Sequence, residues 1–315
     1  MMTTIVPTSS RTRLPAILAL ACVVSVAGGT LVFMRHAGHH GNIIDAGVEA
    51  FGRGDFEKAV VCFTQAIRQN PREAPAYYNR ALACDRKGDL DSAIADYTEF
   101  LRLSPDSPDA YYNRGLAYNR KGERDRAIAD YTEFLRLRPD SADALYNRAV
   151  AYDEQNDPDR AIADYTEFLR LKPDSAPAHY NRALACDKQG DLDSAIADYT
   201  EFLRLKPGFA PAHYNRALAW DKKGDLDSAI ADYTEFLRLK PDSLDAIYNR
   251  GIACGRKGDQ VKAIADYTRF LELKPDFPEA YINRGRAYRQ QGDRAKADAD
   301  FARARQLGFN GETGG

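Results

Sequence analysis

Apolar residues recur at helical spacing along most of the chain. In the stretch LDSAIADYTEFLRL they fall at i, i+1, i+4, i+7 and i+8, namely at Ala93, Ile94, Tyr97, Phe100 and Leu101. Because an α-helix turns once in about 3.6 residues, these side chains form one stripe along it. The intervening positions are mostly polar, so the pattern predicts an amphipathic helix with one buried face.

The same pattern returns along the chain with a constant period of about 34 residues. Starting the period at residue 40 gives eight consecutive blocks without an insertion. The blocks are 40–73, 74–107, 108–141, 142–175, 176–209, 210–243, 244–277 and 278–311. A period of this length is typical of a solenoid, in which each repeat packs only on its neighbours.

Each block is predicted to form two helices joined by a turn. A proline near the end of the block, such as Pro105, stops the second helix because it cannot continue the hydrogen-bond ladder. Gly88 interrupts the middle of the block, and Asp89 suits the N-cap of the second helix. The fourth block has Asn156 in place of this glycine, and asparagine also tolerates a left-handed backbone.

The block resembles the tetratricopeptide repeat, a helix–turn–helix unit of about 34 residues. In the second block the resemblance is carried by Ala81, Cys84 in place of the usual tyrosine, Gly88, Ala93, Tyr97 and Pro105. It implies an all-α, right-handed superhelical solenoid of eight helix–turn–helix units over residues 40–311, followed by a tail at 312–315. Asp298 and Arg305 make the last helix more polar than its equivalents, as the uncovered end of a solenoid requires.

An uncharged, mostly apolar run precedes the repeats at residues 14–34 and follows two arginines. It is long enough to cross a bilayer, which needs about 20 residues, and the arginines favour a cytoplasmic N-terminus. It also fits a secretory signal cleaved after Ala27. We expect a retained anchor, because the apolar run continues past that residue. Residues 1–13 would then be a cytoplasmic n-region and 35–39 a linker.

The first helix of each repeat has two predicted faces. Arg80, Ala81 and Cys84 share the packing side, whereas Tyr78 and Asn79 lie opposite. The resemblance implies that the opposite side lines a concave groove, in which family members bind an extended peptide or a partner's helix. Asparagine can bond a peptide backbone, and tyrosine is a rigid contact residue, although both also fit a purely structural role. The expected binding residues are Tyr78, Asn79, Tyr112, Asn113, Tyr146, Asn147, Tyr180, Asn181, Tyr214, Asn215, Tyr248, Asn249 and Asn283.

Arg80 lies on the packing side, where the family usually has leucine. A buried guanidinium needs a carboxylate, and Asp96, at the edge of the apolar stripe of the second helix, is the candidate. The first repeat has neither residue, because Ala46 and Cys62 stand there. We predict a salt bridge, within a repeat or across to the next. The predicted pairs are Arg80/Asp96, Arg114/Asp130, Arg148/Asp164, Arg182/Asp198, Arg216/Asp232, Arg250/Asp266 and Arg284/Asp300.

Composition and motifs narrow the function further. The chain of 315 residues has a formal net charge of −2, so it has no overall basic field for nucleic acid. No Walker loop, HExxH, GxSxG or dinucleotide fingerprint occurs, so we expect no enzyme activity and no cofactor. No metal site is expected either, since no CxxC pair occurs and the histidines at 36, 39 and 40 lack acidic or cysteine partners nearby.

Two other chemistry-bearing residue types occupy fixed positions in the repeat. Cys84, Cys186 and Cys254 share one position that holds tyrosine or tryptophan elsewhere, which indicates buried free thiols. His179 and His213 share another position, which holds tyrosine, leucine or isoleucine in other repeats. A position that varies in this way indicates packing, so no catalytic histidine pair is expected.

The expected function is therefore that of a protein–protein interaction scaffold or adaptor, which binds a peptide segment or partner protein in the groove. The predicted location is a single-pass protein of a bacterial inner membrane with periplasmic repeats, or an exported protein if cleaved. A clamp for chaperone tails, as in some family members, is disfavoured because Tyr78 and Leu82 occupy clamp positions. Two alternatives stay open: a binding or regulatory subunit of an envelope glycosyltransferase or polymerase, and a spacer without a specific ligand.

Overall fold

A computed structural model describes residues 41–309 of the chain. Within that range it contains 16 α-helices and no strand, so the predicted all-helical architecture of eight helix pairs is confirmed. The helices are α1 (Gly41–Gly52), α2 (Phe56–Gln69), α3 (Ala74–Lys87), α4 (Leu90–Leu103), α5 (Pro108–Lys121), α6 (Arg124–Leu137), α7 (Ala142–Glu154), α8 (Pro158–Leu171), α9 (Ala176–Gln189), α10 (Leu192–Leu205), α11 (Ala210–Lys223), α12 (Leu226–Leu239), α13 (Leu244–Lys257), α14 (Gln260–Leu273), α15 (Pro278–Gln290) and α16 (Arg294–Gln306).

The described residues divide into two compact units, one up to residue 178 and the other from residue 179. We call them the first unit (41–178) and the second unit (179–309). In the first unit each helix from α1 to α8 packs on the next, and in the second unit the same holds from α10 to α16. Each odd-numbered helix and the even-numbered helix after it form one repeat.

The buried stripe of each second helix packs against small residues of the first helix. In α4 Ala93, Tyr97 and Phe100 are at most 1% exposed, as the sequence pattern predicts. The neighbouring first helix offers Ala81, which is fully buried. At the equivalent position of the next repeat a Cβ added to Gly115 would lie 2.9 Å from a ring carbon of Tyr131. A small residue is therefore required at this position, because the tyrosine ring occupies the space.

The turns between paired helices follow the predicted chemistry. Gly88 ends α3 with φ 83°, and Asn156 adopts φ 60° at the equivalent position of the fourth repeat. Asp89 caps α4, because its side chain accepts a hydrogen bond from the backbone N–H of Ser92 at 3.2 Å. Left-handed residues and N-caps thus end one helix and begin the next as the sequence indicates.

No helix within residues 41–309 is long and apolar enough to cross a membrane. The apolar run 14–34, the n-region 1–13, the linker 35–39 and the tail 312–315 lie outside the described residues. Their predicted roles therefore stay predictions.

Candidate functional site

The candidate binding residues lie on one side of the odd-numbered helices. We call this side the first-helix face and define it by Tyr78, Asn79, Leu82 and Asp85 of α3 and by the equivalent positions of the other odd-numbered helices. Because residues three and four apart on a helix are neighbours, these side chains form a continuous strip on each helix.

The tyrosine rings of this face are mostly buried, in contrast to the expectation of a tyrosine contact surface. Tyr78 is 8% exposed, and Tyr146 is 4% exposed. The Tyr78 ring packs on Tyr97 and Phe100 of α4, with centroid distances of 5.7 and 5.1 Å. Burying an aromatic ring is worth about 1.5–3 kcal/mol, so the rings stabilise the helix pair. The hydroxyl end of Tyr78 reaches the next repeat.

Within the two units, five tyrosine hydroxyls accept a hydrogen bond from an asparagine of the following repeat. Asn113 Nδ2 donates to the Tyr78 hydroxyl at 2.9 Å, and Asn147 Nδ2 donates to Tyr112 at the same distance. We call these contacts the Tyr–Asn ladder. In the second unit its members are Asn215 to Tyr180 at 3.1 Å, Asn249 to Tyr214 at 3.0 Å and Asn283 to Tyr248 at 2.9 Å.

The Tyr–Asn ladder holds the amide group of each donating asparagine in one orientation. Asn113 and Asn147 are partly exposed, and no other hydrogen bond to the described residues uses their Oδ1 or second N–H. Burial raises the pKa of Tyr78 to about 12, so its hydroxyl stays protonated at neutral pH. Each of these amides therefore presents one acceptor and one donor for a further partner.

Asn79 is the exception, since the first repeat supplies no tyrosine hydroxyl. Ile44 stands at the tyrosine position of α1. Asn79 is only 2% exposed, and neither its Nδ2 nor its Oδ1 has a hydrogen-bond partner among the described residues. The side chain is therefore a poor candidate for surface binding, and the sequence signal that reveals this is the isoleucine. Asn181, at 6% exposure, likewise offers little surface to a ligand.

The structure brings every predicted Arg–Asp pair together within its own repeat. Arg80 donates from Nε and from one terminal nitrogen to the two carboxylate oxygens of Asp96, both at 2.7 Å. The equivalent pairs of the six following repeats have the same bidentate geometry, with distances from 2.6 to 2.9 Å. Of the two predicted arrangements, the one across to the next repeat is therefore wrong.

The aspartates of these pairs are buried, although the sequence pattern places them only at the edge of the apolar stripe. Their exposed fractions lie between 4 and 7%, because the guanidinium covers each carboxylate. The set consists of Asp96, Asp130, Asp164, Asp198, Asp232, Asp266 and Asp300. Asp164, Asp266 and Asp300 have 7, 5 and 6% exposure, so they lie too deep to contact a ligand and serve the salt bridge.

A threonine of the preceding repeat completes this arrangement, and the sequence reasoning missed it. The remaining terminal nitrogen of Arg80 donates to Thr64 Oγ1 at 3.0 Å, and that of Arg114 donates to Thr98 Oγ1 at 3.0 Å. Thr98 in turn donates to the Ile94 carbonyl at 2.7 Å. We call each such group an Arg–Asp–Thr brace. Its signal in the sequence was a threonine recurring once in each of the first seven repeats, on the side expected to face solvent.

The two histidines join the braces of the second unit. His213 Nε2 lies 3.0 Å from the Pro207 carbonyl, and its Nδ1 lies 3.2 Å from Asp232. In other repeats a tyrosine hydroxyl makes the same contact with a proline carbonyl, as Tyr77 does with Pro71 at 3.3 Å. The histidine position is therefore a structural contact between a helix and the preceding turn.

Asp198 illustrates the electrostatic effect of an added histidine. His179 Nδ1 lies 2.9 Å from Asp198, which also accepts two hydrogen bonds from Arg182. Although burial acts to raise it, the hydrogen bonds from Arg182 and His179 hold the pKa of Asp198 below its usual range. The carboxylate therefore stays ionised, which suits a salt bridge and not an acid–base catalyst.

Charges at the edge of the first-helix face are matched between consecutive repeats. Asp85 pairs with Arg120 of the next repeat, and Asp187 and Asp221 pair in the same way with Lys222 and Arg256. These pairs neutralise both partners, so the edge offers little net charge to a ligand.

The cysteines on the packing side are buried and free, as predicted. Cys84, Cys186 and Cys254 are at most 5% exposed and form no disulfide. Burial raises the pKa of each of these thiols to about 11. They are therefore packing residues and not nucleophiles.

Comparisons with known proteins agree with this architecture. A family model described as tetratricopeptide repeat matches residues 44–108, 85–142, 112–176, 151–208 and 180–244, and a second, described as TPR repeat, matches 256–292. Neither model describes a catalytic domain. No curated protein matches the chain.

Several solved structures are similar to parts of the chain. YrrB, a TPR protein with an unusual peptide-binding site, is 24% identical with a TM-score of 0.54, over 60% of this chain and 97% of its own. MamA is 28% identical with a TM-score of 0.51, over 53% of this chain and 92% of its own. The C-terminal part of a TPR repeat-containing protein from Cytophaga hutchinsonii is 17% identical with a TM-score of 0.61, over 76% of this chain and 98% of its own.

Proposed function

Since the chain belongs to the tetratricopeptide repeat family, whose fold typically serves as a scaffold for protein interactions, we propose that it binds a polypeptide segment along the first-helix face. The segment would lie across successive odd-numbered helices. The chain would act as an adaptor without catalytic activity of its own.

The Tyr–Asn ladder is the observation that carries this proposal. The amides of Asn113 and Asn147 are fixed by the tyrosine hydroxyls, are partly exposed, and keep one acceptor and one donor each. A peptide backbone offers the complementary N–H and C=O groups in every residue. Fixed amides also lose little conformational entropy when a ligand binds, which favours binding.

A peptide-display selection tests the proposal on the full chain in detergent. Random dodecapeptides would be selected on the wild-type chain, and their affinities measured for a variant with Asn113→Ala and Asn147→Ala. A matched control carries Glu133→Ala and Glu167→Ala, both on second helices. We expect at least a tenfold loss of affinity in the asparagine variant and no change in the control.

Two results would count against binding at this face. If no peptide is enriched, the chain fits the alternative of a spacer. If the selected peptides bind the asparagine variant as tightly as the wild type, the site lies elsewhere. Circular dichroism of both variants would establish that the helices are intact.

We also propose that residues 14–34 anchor the chain in a bacterial inner membrane, with the repeats on the non-cytoplasmic side. The support is the length of the uncharged run and the arginines that precede it. Export with cleavage after Ala27 is the competing outcome. Mass measurement of the mature chain distinguishes the two, since cleavage removes everything up to and including that alanine. Protease treatment of spheroplasts tests the side, because digestion of the repeats requires that they lie outside the cytoplasm.

A further inference from the structure

Aliphatic residues form a row along the first-helix face of the first unit. Each lies three residues after the asparagine position of its helix, so it is on the same side. The row consists of Val48, Leu82, Leu116 and Val150, and all four side chains are partly exposed. We call them the aliphatic row. Val48, Leu82 and Val150 also pack on the buried core, so each leaves only part of its side chain open at the same position of its repeat.

Several charges around the aliphatic row are already paired, although Asp45 and Arg86 form no ion pair with the described residues. Asp109 pairs with Arg138 at 2.9 Å, Asp143 pairs with Lys172 at 2.8 Å, and Asp85 pairs with Arg120. Glu154 and Arg124 form a further pair at 2.6 Å. A strongly acidic or basic ligand would have to compete with these pairs. An uncharged segment meets no such cost.

The spacing of the row restricts the conformation of a bound segment. Packed helices lie about 8–10 Å apart, and the Tyr–Asn ladder shows that successive odd-numbered helices are neighbours. A polyproline II segment has three residues per turn and rises about 3.1 Å per residue, so every third side chain returns to one side after about 9.3 Å. In a β-strand every third side chain points to the opposite face.

The asparagines distinguish the polyproline II segment from a helix. A bound helix could also place one side chain against each member of the aliphatic row, because every seventh side chain returns to the same side after a rise of about 10.5 Å. Its backbone groups, however, are bonded within the helix and cannot meet the free donor and acceptor of Asn113 and Asn147. A polyproline II backbone has no internal hydrogen bonds. Only the extended segment therefore uses both the aliphatic row and the amides.

We propose that the first unit binds an uncharged segment in polyproline II conformation, with apolar side chains at every third residue. The inference rests on the proposed function and specifies its ligand. Contact with all four members of the aliphatic row requires apolar side chains at positions i, i+3, i+6 and i+9 of the segment. Specificity would come from the three-residue spacing of the apolar side chains. The asparagine amides would bond the backbone, whatever its sequence.

Four synthetic dodecapeptides test this ligand on the full chain. One repeats Leu-Pro-Ala four times, two replace leucine by aspartate or lysine, and one has the leucines placed consecutively. We expect the first to bind at least tenfold more tightly than the other three by calorimetry. Tighter or equal binding of a charged or consecutive peptide would overturn the inference and leave binding at this face standing. If none of the four peptides binds, the inference is also overturned. The proposed function is tested separately, by the peptide selection with the asparagine variants.

Variants of the chain provide a second readout. Leu116→Asp places a charge in the aliphatic row, and Leu116→Asn is a milder change of similar size. We expect each to weaken the Leu-Pro-Ala peptide, the first by at least tenfold. The matched control is Val61→Asp, because Val61 is 65% exposed on the second helix α2. Equal affinity of the Leu116 and Val61 variants would refute a role for the row.

Discussion

Removal of the carboxylate from one Arg–Asp–Thr brace should destabilise the first unit far more than loss of a surface ion pair. Asp130 is the best choice, because Arg114 alone donates to it from a side chain. Asp130→Ala leaves the Arg114 guanidinium without its bidentate partner, although Thr98 still accepts one hydrogen bond. The matched control is Glu133→Ala, three residues along the same helix.

The burial of the two pairs sets the expected magnitudes. The Asp130 and Arg114 side chains are 5% and 16% exposed, and loss of one partner from such a buried pair costs about 3–5 kcal/mol. Since Arg114 retains some contact with water, we expect the lower end of that range. The Glu133 and Arg136 side chains are 44% and 59% exposed, so that pair contributes less than about 1 kcal/mol.

A double variant separates the interaction between Arg114 and Asp130 from the cost of leaving one buried charge unpaired. Arg114→Leu together with Asp130→Ala removes both charges and introduces the leucine usual in this family. Replacement of a buried ion pair by apolar residues is often nearly neutral, so we expect a loss of about 1 kcal/mol or less. The coupling energy between the two sites would then be at least about 2 kcal/mol, within the range for residues in contact.

Hydrogen exchange of the slowest amides in α5 and α6 is the appropriate assay, because repeat arrays need not unfold in one step. Each variant would be compared with the wild type under the same conditions. The reasoning would be refuted if Asp130→Ala and Glu133→Ala changed the opening free energy equally. It would also be refuted if the double variant lost as much stability as the single variants Arg114→Leu and Asp130→Ala combined.

Three further predictions follow from the turns, thiols and carboxylates. Asn156→Ala should lower stability by about 1 kcal/mol and Asn156→Gly should not, because the backbone there is left-handed; equal urea midpoints would contradict this. Iodoacetamide at pH 8 should modify partly exposed Cys62 at least about tenfold faster than Cys84, because burial raises the pKa of the Cys84 thiol to about 11. Mass spectrometry of the labelled peptides measures both rates. Because the pKa of Asp198 is lowered, its ionised form stabilises the fold above the usual aspartate pKa of about 3.9, and this contribution is lost as the pH falls further. The wild type should therefore lose more stability on acidification than Asp198→Asn. Parallel pH profiles of the two proteins would contradict this prediction.

The helices and their ends could be predicted because each depends on residues close in sequence. The stripe around Tyr97, the cap at Asp89 and the left-handed turn at Asn156 all follow from short spacings within one repeat. The Arg80–Asp96 contact could be proposed as well, because a buried charge restricts its partners and both residues were absent together from the first repeat.

Contacts between repeats could not be predicted in the same way. A helical angle gives the direction of Asn113 or Thr98 but not the group that the adjacent repeat places opposite it. The tyrosine rings were therefore expected at a surface, whereas packing on Phe100 buries the ring of Tyr78. The offset between neighbouring helices decides these contacts, and only three-dimensional packing determines that offset.

The bonds between repeats have a consequence for the length of the chain. Arg148 bonds Thr132 and Asn147 bonds Tyr112, whereas one repeat earlier Arg114 and Asn113 bond a threonine and a tyrosine in the same positions. Excision of residues 108–141 would bring identical donors and acceptors together again. Gain or loss of one period therefore preserves these bonds between repeats, so the number of repeats could change with the length of the segment that the face binds.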